Sequence, residues 1–136
     1  MPNSPKKFYA PVPPETERIG KLVLDAAYKV HSTLGPGLVE SIYEVCFCHE
    51  LKKHGLAFQR QMNVPITYDS LKLDAALRLD VLVENLVICE LKAVEEVIPL
   101  FEAQLLSYMK LLQKRLGFLI NFHVPVIKDG IKRMIL

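Results

Sequence analysis

The sequence predicts a mixed α/β sandwich, a sheet carrying packed helices, in the element order α-α-β-β-β-α-β. Two helical periodicities come first, followed by three segments that alternate or run apolar and are rich in β-branched residues. Those strands meet mostly by hairpins, which argues against a doubly wound sheet.

From Thr16, a candidate N-cap, the apolar residues Ile19, Leu22, Val23, Ala26, Val30 and Leu34 keep helical spacing. "GPG" at 35–37 ends this helix and starts a second, which carries Leu38, Val39, Ile42, Tyr43, Cys46, Phe47 and Leu51 to a stop at Gly55. "FQRQMNVPITY", "AALRLDVLV" and "LVICELKAV" read as strands. A third helix is expected from about Pro99 through "LFEAQLLSYMKLLQK", since the fixed φ of proline suits a first turn. "GFLINF" at 117–122 is a short buried strand, and "VPVIKDGIKRMIL" adds a final strand or turn at the edge.

Composition bounds the function. The 136 residues suffice for one domain with a real core, and the 51% apolar fraction excludes a disordered chain. Uninterrupted apolar runs are a few residues long, too short to span a membrane, and "MPNSPKKFYAPVPPETE" lacks a signal-peptide stretch. Five of the nine prolines fall in the first fourteen residues, so residues 1–17 are expected to form a flexible tail before a domain at 18–136. Cys46, Cys48 and Cys89 show no zinc spacing and suit reduced thiols in a cytoplasmic protein. A net charge of +2 permits an anionic partner without requiring one. Self-association stays open.

The chemistry concentrates in "VICELKAV", where Glu90 and Lys92 interrupt an apolar strand and share one face. Asp80 interrupts the preceding strand, "RLDVLV". Turn parity decides whether these charges meet. A two-residue loop, Glu84-Asn85, pairs Val83 with Leu86 and sets Asp80 opposite Cys89. A three-residue loop pairs Val83 with Val87 and sets Asp80 opposite Glu90. Lys92 is then either the structural counter-ion of a buried Glu90 or part of a site built around a cation.

Asp80 followed ten residues on by "ELK" at 90–92 resembles the D…(D/E)XK signature of the PD-(D/E)XK nuclease superfamily. "GLVESIY" at 37–43 resembles the GxxExxY motif that names a bacterial family within it. "VHSTLGPGLVESIYE", "LRLDVLVEN", "ICELKAV", "EAQLLSYMKL", "GFLINF" and "DGIKR" are similar to that family's blocks, in its order. The proline of the signature is missing, Leu79 preceding Asp80.

The resemblance implies a nuclease-like core, a mixed central sheet flanked by helices. It implies Asp80, Glu90 and a helical Glu40 as ligands of Mg²⁺ or Mn²⁺, with a backbone carbonyl near Leu91 and waters completing the shell. Lys92 would orient the attacking water or stabilise charge on phosphate oxygens. Gly37, Glu40 and Tyr43 would share a stripe, the glycine letting the helix approach the sheet. Gln104 and Tyr108 resemble a QxxxY element that orients the site or contacts nucleic acid. Gln104 is thus expected to point at the carboxylates, with Tyr108 one turn further along. Glu40, Asp80, Glu90, Lys92 and Gln104 are the catalytic candidates; Tyr43, Arg78 and Tyr108 are candidate substrate contacts.

Bland alternatives stand beside these. Tyr43 can be a core aromatic with a bonded hydroxyl, Gln104 and Tyr108 a packing pair, Arg78 a salt-bridge partner of Asp80, and His31 a capping or core residue. Lys52, Lys53, Lys110, Lys114, Arg115, Lys132 and Arg133 form a basic rim or ordinary solvated surface. The implied function is a metal-dependent nuclease acting on DNA, ahead of RNA. The alternative is a silent module of the same fold that binds nucleic acid or protein. A small-molecule phosphodiesterase has no distinguishing feature.

Overall fold

The computed structural model describes residues 10–136, with Ala75 and Ala76 described by backbone alone. Helix α1 spans Pro14–Leu34 and α2 spans Glu40–Lys53; strand β1 covers Phe58–Tyr68, β2 Leu71–Val83 and β3 Val87–Lys92. Helix α3 (Pro99–Leu112), β4 (Leu116–Asn121), a 3₁₀ turn (Ile127–Gly130) and β5 (Ile131–Ile135) complete the chain. The five strands lie in sequence order. Every neighbouring pair is antiparallel except β3 and β4, which run parallel because α3 carries the chain back across the sheet.

Helices cover both faces. Val81, Val83, Val87, Cys89, Leu91, Leu116, Phe118 and Ile120 pack with α1 and α2, while Leu82, Ile88 and Leu119 pack with Leu105, Tyr108 and Met109 of α3. The strict alternation along β3 and β4 follows from the period of two in a pleated strand. Each fully buried aliphatic or Phe side chain contributes roughly 1.5–3 kcal/mol. Gly117 is required by this packing. A Cβ there would lie 2.8 Å from the Met109 sulfur and 3.0 Å from a Leu105 methyl, so α3 could not sit as close to β4.

Two expected boundaries move. Helix α1 begins at Pro14, with Pro13 at the N-cap position, rather than being capped by Thr16, which is buried within the first turn. Proline at the first helical position has no N–H to leave unsatisfied. The tail expected over 1–17 lies for residues 1–9 outside the described residues, and residues 14–17 are helical. Helix α2 begins at Glu40, so Gly37, Leu38 and Val39 belong to a loop, and Val39 is 62% exposed. Gly37 therefore does not bring a helix close to the sheet, and nothing lies within 4 Å of where its Cβ would be. It is needed for its φ of 106°, a left-handed conformation that side chains resist.

Candidate active site

The site lies where β2 and β3 part. Between them Val83 pairs with Val87, Leu82 with Ile88 and Val81 with Cys89, the register of the three-residue loop. Glu84 and Asn85 hold that loop with φ of 51° and 54°, and Leu86 N–H donates to the Val83 carbonyl at 2.9 Å. Pairing stops after Val81 and Cys89, so the next backbone N–H groups lose their ladder partners. Side chains replace them reciprocally. Asp80 N–H donates to Glu90 Oε1 at 3.0 Å, and Leu91 N–H donates to Asp80 Oδ2 at 2.8 Å. The two carboxylates thus clamp the end of the hairpin and are held against each other.

Burial is costly to both. Burial, and then the neighbouring Asp80 charge, push Glu90 up to about 8; burial likewise raises Asp80, against the bond from Leu91. The Lys92 charge offsets this only in part. Among the described residues it joins no ion pair, and its Nζ sits 4.3 Å from the centre of the Phe101 ring. A buried and a half-buried carboxylate, with no lysine or arginine bonded to either among the described residues, form a hard-oxygen donor set of the kind a divalent ion takes.

Glu40 is exposed at the first residue of α2, and among the described residues no three His, Cys, Asp or Glu side chains stand close enough together to hold an ion. Glu90 has the parity of Ile88 and Lys92, which face α3, while Glu40 stands on α2. Glu40 still senses the site, since burial and then the Asp80 charge raise its carboxyl while Lys92 lowers it.

The remaining expected residues divide. Tyr108 of α3 is buried, its hydroxyl donates to the Arg78 carbonyl at 3.5 Å, and burial followed by the Glu90 and Asp80 charges raises its pKa. Gln104 is exposed and bonds to neither carboxylate; it lines a groove of about 210 Å³ with Leu77, Leu100, Ala103, Ser107 and Tyr108. Arg78 is exposed and makes no ion pair with Asp80. Tyr43 is fully buried. Its ring stacks on Phe122 at 4.7 Å, and its hydroxyl donates to the Gly35 carbonyl at 2.5 Å and accepts from Leu38 N–H at 3.1 Å. His31 is likewise internal, its Nε2 lying 2.7 Å from the Val124 carbonyl.

Much of the basic rim is engaged elsewhere. Lys53, Lys132 and Arg133 pair with Glu50, Glu102 and Glu17, and Arg115 donates to the carbonyls of Ala10 and Leu136. The three cysteines are free thiols, and burial pushes Cys48 up to about 11, so none of the buried thiols is poised as a thiolate.

Sequence reasoning missed two residues that bond directly around the pair. Glu44 and Gln61 link α2 to Asp80, Gln61 Nε2 lying 2.6 Å from Glu44 Oε1 and 3.5 Å from Asp80 Oδ1. The available signal was the i, i+4 spacing of Glu40 and Glu44, which puts two carboxylates on one helical stripe. It also missed Asn121, whose buried amide brackets Val94, accepting from its N–H at 3.1 Å and donating to its carbonyl at 2.9 Å. That bracket fixes the chain just beyond Lys92.

A family model described as the PD-(D/E)XK nuclease superfamily matches residues 17–134. No curated protein and no solved structure matches the chain.

Proposed function

The chain belongs to the PD-(D/E)XK nuclease superfamily, and from that premise we propose that it is a metal-dependent nuclease hydrolysing phosphodiester bonds in DNA. Gly37, Glu40 and Tyr43 support placing it in the GxxExxY family. The observation that carries the reading is the reciprocal clamp of Asp80 and Glu90, two carboxylates pressed together while Lys92 stays unpaired beside them. A structural ion pair would have put the lysine on the glutamate.

Asp80 and Glu90 would hold a divalent ion such as Mg²⁺ or Mn²⁺, which would polarise the phosphodiester and offset the carboxylate charges. The chain's own residues do the rest. Lys92 directs its ammonium at the phosphate, stabilising charge that grows on its oxygens as water bonds to phosphorus, losing a proton to solvent, and the bond to the leaving oxygen breaks, that oxygen taking up a proton. Phe101 holds the lysine in place through its ring face. Tyr108 keeps α3 against the strand that carries Asp80. The α3 groove beside it, with Gln104 on its wall, is where the nucleic acid passes.

Glu40, standing apart from the pair, is what favours the second reading, a silent module of the same fold that binds nucleic acid or a protein. One assay separates the two. Circular and linear DNA and RNA are incubated with the protein in Mg²⁺, Mn²⁺ or EDTA. Cleavage of DNA that EDTA and Asp80→Asn both abolish is the expected result. Retained binding with intact substrate under every metal condition sinks the enzyme and leaves the binding module.

A further inference from the structure

Glu44 lies one turn after Glu40 on α2 and is 7% exposed, an expensive position for a carboxylate without partners. Its two oxygens are used differently. Oε2 accepts from Nε and Nη2 of Arg60 at 3.2 and 2.8 Å, and Oε1 accepts from Gln61 Nε2 at 2.6 Å. The same Gln61 nitrogen reaches Asp80 Oδ1 at 3.5 Å. An amide nitrogen carries two hydrogens, so one group serves both carboxylates. The orientation of this amide is dictated by its neighbours. Ionised carboxylates only accept, and the Gln61 carbonyl in that place would face two negative oxygens.

The backbone is distorted at this residue. Gln61 has a φ of 50°, although it carries a long side chain and sits within a strand. On both sides of it β1 and β2 keep one register, Arg60 with Val81 and Met62 with Leu79, and the position between them is skipped. The strands also exchange faces there. Val81 packs with α1 and α2, while Leu79, two residues away, packs with α3. Strain of this kind persists only where surroundings enforce it. Here it falls on the residue that bridges α2 to Asp80.

We infer that Glu44, acting through Gln61, is a positioning residue for Asp80. It holds the Gln61 amide nitrogen toward Oδ1 and thereby keeps the Asp80 carboxylate in one orientation, with Oδ2 on the Leu91 N–H. Arg60 holds Glu44 in turn. The inference rests on the reading of Asp80 as an ion ligand and adds a part of the chain that the D…(D/E)XK signature does not contain.

The test is calorimetric binding of Mn²⁺ to the full chain, with a metal-free thermal melt of every variant. Glu44→Ala and Gln61→Asn are each expected to weaken Mn²⁺ binding ~10-fold, the lower end of what such supporting residues contribute. The double variant is expected to lose no more than either alone, because both break one bridge. Asparagine tolerates the left-handed backbone, so Gln61→Asn removes the bridge without adding strain. Glu44→Gln keeps a carbonyl oxygen for the Gln61 amide and should bind Mn²⁺ more tightly than Gln61→Asn, which also decides the matter if Glu44→Ala does not fold. Wild-type affinity in Gln61→Asn overturns the inference and leaves the Asp80–Glu90 reading intact. A wild-type chain that binds no Mn²⁺ overturns both.

Discussion

Lys92 and Glu90 are two residues apart on β3, yet the lysine packs on Phe101 and the glutamate bonds to the backbone of Asp80. Losing the lysine therefore strands no partner. Lys92→Met should keep its melting temperature within a few degrees of wild type, since a cation–π contact that is not fully desolvated contributes only about 1 kcal/mol. Cleavage should fall ~10²–10³-fold if the ammonium acts on charge formed in the transition state. A stability loss of ~3–5 kcal/mol would instead identify Lys92 as a structural counter-ion. Glu90 supplies a second prediction. Burial, and then Asp80, raise its pKa from an ordinary 4.5 to about 8, so the folded chain holds a proton that the unfolded chain has released. Stability from this group is full below the unfolded value and is lost as pH rises through the interval up to the folded one. In EDTA the melting temperature should thus decline across that interval, and Glu90→Gln should flatten the decline. An equal slope in the variant would assign it to other groups.

At the scale of elements, the loop between α1 and α2 is organised by a side chain from the helix that follows it. Tyr43 reaches back to the Gly35 carbonyl and the Leu38 N–H, closing a loop that contains two left-handed glycines, Gly35 and Gly37. The ring meanwhile stacks on Phe122 at the end of β4, which ties the loop to the strand beside β3. Tyr43→Phe retains the stacking and removes both bonds. It should cost ~1–3 kcal/mol in a denaturant melt, the range for leaving partly buried backbone groups unsatisfied. Mn²⁺ affinity should be unchanged, because the hydroxyl faces the loop and not the carboxylates. A large loss of metal binding with little loss of stability would restore Tyr43 to the site.

Across the whole molecule, the sheet separates two cores, one under α1 and α2 and one under α3, and the candidate site sits at the seam between them. Asp80 is joined to α2 through Gln61 and Glu44, while Lys92 and Tyr108 join the same region to α3. An ion bound there exists only when both layers are assembled. It should therefore stabilise the folded chain as a whole, by about 2.7 kcal/mol at a hundredfold excess over its dissociation constant. Mg²⁺ should raise the melting temperature by several degrees, and Asp80→Asn should abolish the rise. An identical shift in that variant would place ion binding elsewhere.

The helices, strands and their order are legible in the residues, because each buries a face whose period of 3.6 or 2 is written locally. Segment 58–68 coincides with β1, and the helix expected from Pro99 begins there. The charges of Asp80, Glu90 and Lys92 were equally legible, since each interrupts an apolar run. Local pattern failed where apolar residues do not go inside. Leu38 and Val39 continue the helical spacing but are 38% and 62% exposed, because positive φ at Gly37 delays the helix. Whether Asp80 meets Glu90 depended on one turn residue, and only the folded hairpin chose the three-residue register. The bridge from Glu44 through Gln61 to Asp80 depends on how α2 sits against the sheet. Contacts of that kind join residues far apart in the chain. Their geometry is set by the packing of whole layers, and no spacing within a single segment encodes it.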